Sequence, residues 1–566
     1  MGRSAVRCGA GILALFLAGR LRAQDEPIRY EPAFERIDEA VRWHMKAGNV
    51  PGLAVVVSGR DGPLRIATYG VADVKLGTPT AADTLFEIGS LSKSFTAVAL
   101  LQLAEKGLFD PQAPVKKVLP WFQTPAPYRP LTAHDLLTHT GGLAGDRVDI
   151  PTSLFQTVAP KDTAPGVAPG TAFRYSNLGY QILGWMLEEL SHQRYGAAVA
   201  TRILEPLGMT ASEGAITFET FRRLATGYRP FFDDRPVPVA RPIVEAPRVE
   251  YGSGDGSIAS TPADMDRYLR MLLNRGAGPS GRLLSEESFR LLVEPAIHVS
   301  PFDPPAYGYG FFVRGSDGHT LIRHTGVTTG MSAILEADLE NGIGVVVLQN
   351  SAAVEATPGP LGDYVMRALR AAATRRPLPE PVRRPSGAVE NPAEYTGTFD
   401  AADGQRLAFA VAEGRLVLEH RGTRVPLEQR GPDVFLADHP DFALHLLRFG
   451  RQGDRVVEVT HGAAWLCSGK YQGPRAFAPP KEWAAFSGHY RSANPWLSNF
   501  RVFVRKGKLW MSAPGGAESL LVPAEPGSFQ VGEEHTVERI RFDTLVKGRA
   551  LRANLSGVDF YRTFTP

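Results

Sequence analysis

Ser90 and Lys93 stand three residues apart at the start of a helical pattern, within Phe86-Glu87-Ile88-Gly89-Ser90-Leu91-Ser92-Lys93-Ser94-Phe95. Gly89 closes an extended apolar stretch. The pattern then runs on through Phe95, Val98, Leu101 and Leu103, and Gly107 is a natural stop. On a helix, residues three apart share a face, with Cβ atoms about 5–6 Å apart. Ser90 and Lys93 therefore project together from a first turn whose N–H groups are unpaired and whose dipole is positive. A serine there has an amine to take its proton and donors for a developing oxyanion.

Two further segments supply what such a serine needs. In Phe173-Arg174-Tyr175-Ser176-Asn177-Leu178-Gly179-Tyr180, Asn177 precedes the helical run Ile182–Leu187 and Tyr175 lies in the loop before it. A phenol has an unperturbed pKa of about 10 and needs nearby cations to act as a base near neutrality. Lys93 would supply one; alternatively Lys93 is itself neutral and takes the Ser90 proton. In Ile322-Arg323-His324-Thr325-Gly326-Val327, Gly326 lets a strand approach a ligand closely. The Val327 N–H would join the Ser90 N–H as oxyanion donors, each typically worth about 10²–10³ in rate. His324 would hold a substrate carboxylate or assist proton transfer, and Thr325 belongs to the same strand. A second His-Thr-Gly, His139-Thr140-Gly141, follows the helical Thr132–Leu137 without flanking strand pattern and is assigned to loop architecture.

Other chemistry fits poorly. There is no G-x-S-x-G elbow, no H-E-x-x-H, no Cys/His cluster and no Gly-rich phosphate loop before a helix. His134 with His139 is too thin for zinc, so no metal and no cofactor is expected.

The elements that must position these residues surround a helical insert. Pro32–Lys46 reads as an amphipathic helix, and Leu53–Val57 and Leu64–Tyr69 as strands. Residues 109–290 are mostly helices and Pro/Gly loops, with a clear helix start at Thr261-Pro262-Ala263-Asp264. Strands return at Tyr309–Val313, His319–His324, Gly330–Ala337 and Ile343–Leu348, followed by a helix over Leu361–Ala373. Strands at both ends of one region imply a single sheet closed by distant segments, with the site between sheet and helices. Arg375–Pro385 is a proline-rich linker. Beyond it come short alternating strands. Glu394–Phe399 with Glu413–Leu418 is echoed by Ala485–Tyr490 with Lys506–Met511, an approximate repeat that reads as two small β modules, each a barrel, or as one larger β domain.

The chain has 566 residues, 43% hydrophobic and 21% charged, with a net charge of +3. That describes an ordinary globular protein and excludes a basic nucleic-acid binder. Arg3 and Arg7 precede the apolar run Ile12–Ala18, and Ala23 precedes Gln24-Asp25-Glu26, the pattern of a secretory signal too short to span a bilayer. Cys8 would leave with that signal and Cys467 would remain alone, as a buried structural thiol. The expected organisation is a signal at 1–23, a catalytic region at 30–375, the linker at 376–391, and β modules at 392–478 and 479–566.

Taken together, Ser90-x-x-Lys93, Tyr175-x-Asn177 and His324-Thr325-Gly326 resemble the serine β-lactamase-like family on its class C side, over roughly residues 30–375. That group includes class C β-lactamases, D-Ala-D-Ala carboxypeptidases, D-aminopeptidases and related carboxylesterases. The resemblance implies an α/β (α+β) sandwich, an antiparallel sheet flanked by helices with a helical domain, followed here by all-β modules resembling lipocalin-like domains. It also implies Ser90 as acylated nucleophile, Lys93 and Tyr175 sharing base and acid roles, and Asn177 contacting the substrate amide and orienting Lys93. His324 departs from the class C pattern, in which a lysine supplies a fixed cation. Arg323 would point to the other face of the strand. The expected activity is an exported serine hydrolase acting on D-amino-acid peptide or ester bonds, with weaker β-lactam hydrolysis. The rival is an inactive binding or scaffolding protein of the cell envelope. Expected partners are a small molecule or short peptide, with no nucleic acid and no membrane-spanning segment after signal removal.

Overall fold

The computed structural model describes residues 28–125, 128–143, 166–238, 242–300, 303–316, 318–353, 356–381, 389, 391–532 and 538–563. The expected signal at 1–23 lies outside the described residues, as does much of the linker. Among the described residues no helix is long and apolar enough to cross a membrane.

Helix α1 (Glu31–Gly48) leads into strands β1 (Gly52–Gly59), β2 (Pro63–Asp73) and β3 (Thr78–Pro79). Helices α2 (Ser92–Glu105), α3 (Asn177–Ser191) and α4 (Pro262–Leu273) belong to the helical insert. Strands then return as β4 (Ile297–Ser300), β5 (Asp303–Tyr307), β6 (Phe312–Ser316), β7 (His319–Val327), β8 (Ser332–Asp338) and β9 (Ile343–Gln349), and α5 (Gly359–Ala373) follows. They form one antiparallel sheet in the order β4-β5-β6-β7-β8-β9-β1-β2-β3. Its two halves meet where β1 pairs with β9, from Leu53 opposite Gln349 to Gly59 opposite Ile343.

Strand alternation divides the core. Leu53, Val55, Val57, Val345 and Val347 pack with Ile37 and Val41 of α1 and with Leu361 and Val365 of α5. Val56, Val346 and Leu348 face the other way, into a larger core with Phe95 of α2 and Tyr268 and Leu269 of α4. β1 is thus buried on both sides, which is why it reads as a continuous apolar run. Helix α4 starts where expected, with the Thr261 side chain accepting from the Asp264 N–H.

Two expected strands start late, each because a turn intervenes. The Gly308 N–H bonds the Phe311 carbonyl, so Tyr309–Phe311 turns on Gly310 (φ +85°) and β6 begins at Phe312. The Thr328 N–H likewise bonds the Met331 carbonyl, and β8 begins at Ser332.

The C-terminal region forms two closed eight-stranded barrels, with strands between Gly397 and Cys467 and between Gly488 and Arg562. The sequence repeat is the same hairpin in each. Glu413-Gly414 (φ 52° and 74°) and Lys506-Gly507 (φ 51° and 68°) turn matching strand pairs through a left-handed two-residue turn. Cys467 is a free, buried thiol in the first barrel. Residues 229–237, ahead of the linker, reach both barrels: Asp233 pairs with Arg491 at 2.6 Å, Asp234 with Arg501 at 3.2 Å, and the Val237 carbonyl accepts from Arg430 at 2.5 Å.

Candidate active site

Gly89 (φ +53°) bends the chain out of a short strand into a 3₁₀ turn, Gly89–Leu91, which passes directly into α2. Ser90 is half-buried on this turn and Lys93 is fully buried one turn on. Lys93 Nζ lies 3.0 Å from Ser90 Oγ, 2.6 Å from Asn177 Oδ1 and 2.8 Å from the Asp255 carbonyl. It also sits 4.9 Å from the centre of the Tyr175 ring. The serine, lysine, tyrosine and asparagine singled out in the sequence therefore meet at one point.

Tyr175 is positioned by its neighbours. The Ser176 hydroxyl caps α3 by accepting from the Gly179 N–H at 3.1 Å, and the Ser176 N–H donates to His139 Nδ1 at 3.1 Å. The His139 ring lies 4.3 Å from the Tyr175 ring, centre to centre. Since Nδ1 accepts, His139 is neutral. Burial, reinforced by the Lys93 charge, holds its pKa well below the usual histidine value. His139-Thr140-Gly141 lies in the loop that follows the short helix Ala133–Leu137, as expected, and this loop also supports the tyrosine.

On the opposite side, β6 pairs with β7 only as far as Arg323. The edge of β7 from His324 to Val327 is left to the Gly89–Leu91 turn. A Cβ on Gly326 would lie 1.9 Å from the Ile88 carbonyl oxygen and 3.2 Å from Ser90 N, and one on Gly89 would lie 2.8 Å from Val327 N. These two glycines allow the approach, which sets the turn at Ser90 against the strand edge at Val327. Thr325 and Val327 are exposed at the strand surface.

His324 is a correction. It is 1% exposed, its Nδ1 donates to the Thr325 carbonyl at 2.7 Å, and its Nε2 accepts from the Tyr307 hydroxyl at 3.1 Å. Burial first, then the Lys93 charge, lowers its pKa to about 3. The ring is neutral with both nitrogens occupied, so it neither offers a cation to a carboxylate nor has a free site for proton transfer. Arg323 does point away, to Asp363 at 2.9 Å and Glu336 at 3.3 Å.

Asp255, Tyr307 and the role of His139 were not legible in the sequence motifs. Asp255 is buried, which raises its pKa, and its carboxylate accepts from Ser253 Oγ at 2.6 Å while its carbonyl holds Lys93. The signal was there in Gly252-Ser253-Gly254-Asp255-Gly256: a Cβ on Gly254 would lie 2.3 Å from the Tyr180 carbonyl. Among the described residues, His319/Asp338/Glu340 and His420/His439/Asp441 cluster closely enough to hold a metal, and neither touches this site. Asp338 is already paired with Arg370 at 3.0 Å and Asp441 with Arg421 at 3.1 Å.

A family model described as "Beta-lactamase" matches residues 37–371, the segment that carries Ser90, Lys93, Tyr175, Asn177, Asp255 and the strand edge from His324 to Val327. The chain belongs to the β-lactamase family. Penicillin-binding protein 4 of Amycolatopsis lactamdurans is 30% identical over 336 residues, covering 56% of this chain and 84% of that one. Protein flp of Staphylococcus aureus is 23% identical, covering 56% of this chain and 63% of its own length. In fold, the chain is similar to an octameric penicillin-binding protein homologue from Pyrococcus abyssi (TM-score 0.56, 24% identity, 77% of this chain and 100% of that one). It is also similar to a D-amino acid amidase from Ochrobactrum anthropi SV3 (TM-score 0.50, 23% identity, 60% and 99%). The site is thus of the serine-hydrolase kind found in this family.

Proposed function

We propose that the protein is an exported serine hydrolase that forms an acyl-enzyme on Ser90 and acts on short peptide amides, of D-amino acids in particular, or on esters. One observation carries the reading: Lys93 Nζ contacts Ser90 Oγ while bonding Asn177 Oδ1 and the Asp255 carbonyl. Both of the latter are acceptors only, so they take two N–H bonds from the lysine. A neutral amine has two N–H bonds and one lone pair, and the lone pair is then left for the Ser90 hydroxyl proton. Once protonated, Lys93 shares its charge with the face of Tyr175. In this reading Tyr175 gives its phenolic proton to the leaving group and takes the Ser90 proton from Lys93 in exchange.

Attack by Ser90 Oγ on a carbonyl makes a tetrahedral oxyanion, which the Ser90 and Val327 N–H groups receive. Water then releases the acyl group by the reverse proton path. β-Lactam hydrolysis ranks below peptide and ester cleavage because His324 brings no cation to the strand.

The test is turnover of a p-nitrophenyl ester, a D-Ala-terminated peptide and a penicillin by wild type and Ser90→Ala. Ser90-dependent release of product from the ester or the peptide supports the reading. Equal rates in the variant overturn it, and a penicillin as the sole substrate reverses the ranking.

A further inference from the structure

With His324 neutral and enclosed, the strand that faces Ser90 holds no charge for an anionic substrate. The charge lies further along. Past Val327 the chain continues through Thr328 and Thr329 into a cavity of about 310 Å³ at the seam with the second barrel, lined also by Arg229, Trp496 and Ser498.

We propose that this cavity is a subsite for a carboxylate carried by the substrate, with Arg229 as its counter-charge and the Trp496 indole as its wall and second donor. The proposal rests on the Ser90 hydrolase reading and extends it. The backbone of Arg229 is paired with Val244, but its side chain makes no hydrogen bond or ion pair among the described residues, and its Nε is buried without a partner. The other arginines around the seam are satisfied: Arg235 by Asp234 at 2.8 Å, Arg491 by Asp233 at 2.6 Å and Arg501 by Asp234 at 3.2 Å. Those pairs also consume both seam carboxylates, so the charge left facing the cavity is that of Arg229. The Trp496 Nε1–H is likewise buried with no acceptor among the described residues. Two buried donors without partners, one of them charged, are costly unless an acceptor arrives. A carboxylate suits a guanidinium, whose fork matches its two oxygens.

The cavity is also tied to the catalytic turn. Trp496 meets the Tyr251 ring edge-on at 6.3 Å, and the Tyr251 hydroxyl donates to the Gly256 carbonyl at 2.6 Å, next to the Asp255 that holds Lys93. The barrel loop is held in place by Asp233, which accepts from Ser498 Oγ at 3.2 Å and, at its carbonyl, from Asn499 at 2.8 Å.

The carboxylate belongs either to the acyl part of the substrate or to its leaving part, and two matched pairs separate these. The first is mono-p-nitrophenyl glutarate against its methyl ester. The second is a D-Ala-D-Ala peptide against its C-terminal amide. In the full chain, kcat/KM should favour the charged member of one pair. Arg229→Ala should reduce that charged-over-neutral ratio about tenfold, with partial recovery in Arg229→Lys and a smaller loss in Trp496→Phe. Glutarate binding to the Ser90→Ala protein, read by calorimetry, should weaken about tenfold when Arg229→Ala is added. Turnover with no Arg229-dependent preference in either pair and no Arg229-dependent glutarate binding overturns the subsite and leaves the hydrolase. Arg229-dependent binding without turnover of any substrate sets the hydrolase reading aside and leaves the subsite. Neither binding nor turnover overturns both.

Discussion

At the scale of single residues, Lys93 decides the chemistry. It is fully buried, and removing it takes away the amine in contact with Ser90 Oγ and strips Asn177 Oδ1 and the Asp255 carbonyl of a donor. Lys93→Ala should therefore prevent acylation near neutral pH and also cost about 1–3 kcal/mol of stability for each buried acceptor left unmet. Mass spectrometry after ester exposure and a thermal melt read the two effects separately; normal acyl-enzyme formation would leave Tyr175 as the sole base. His324 makes a pH prediction. Its folded pKa, about 3, lies below that of an unfolded histidine, about 6.5. Between those values the unfolded chain binds the extra proton, so the neutral ring's contribution is whole above about pH 6.5 and is lost as pH falls towards 3, at up to about 1.4 kcal/mol per pH unit. His324→Asn should flatten the fall in Tm between pH 7 and pH 4. An unchanged slope would mean that the ring is not held neutral. The sequence named Ser90, Lys93, Tyr175 and Asn177 because spacing on a helix face or before a cap is local. It misjudged His324 because the Tyr307 hydroxyl that occupies the ring comes from another strand.

At the scale of elements, the site is a meeting of one turn and one strand edge. β6 stops pairing at Arg323, and Gly326 and Gly89 let the bare edge of β7 close onto the turn. Gly326→Ala would set a methyl group 1.9 Å from the Ile88 carbonyl, so the strand must move out and carry the Val327 N–H with it. We expect kcat to fall about 10²–10³-fold with little change in KM, the mark of a lost transition-state donor. Wild-type kcat in this variant would remove Val327 from the oxyanion site. His139→Ala should lower kcat more modestly, since it withdraws the acceptor of the Ser176 N–H and the ring against which Tyr175 lies. A kcat equal to wild type would reduce His139 to packing. Much of this level was legible. Strands and helices showed as apolar periods, and the α4 cap as Thr-Pro-x-Asp. The two late strand starts were not, because the hydrogen bonds that make those turns close over only three residues inside apolar runs.

At the scale of the molecule, the two barrels are not an appendage. The second is pinned to the catalytic region through Asp233 and Asp234, and its loop at Pro495–Ser498 walls the cavity that opens beside Val327. Asp233→Ala removes the acceptor of both Arg491 and Ser498. It should loosen this contact, seen as faster proteolysis near residues 495–498, while the ester rate changes less than it does in Gly326→Ala. Undiminished protection would show that other contacts hold the barrel. The barrels themselves could be read from the repeated hairpin. Their attachment could not, because it rests on ion pairs between residues more than 250 positions apart, such as Arg491 with Asp233. The acyl-enzyme on Ser90 is the centre of the whole account, and the intact mass of the full chain after brief exposure to a p-nitrophenyl ester tests it most directly. Wild type should gain the mass of the acyl group and Ser90→Ala should gain nothing. An equal gain in the variant, or product release that does not depend on Ser90, would contradict it.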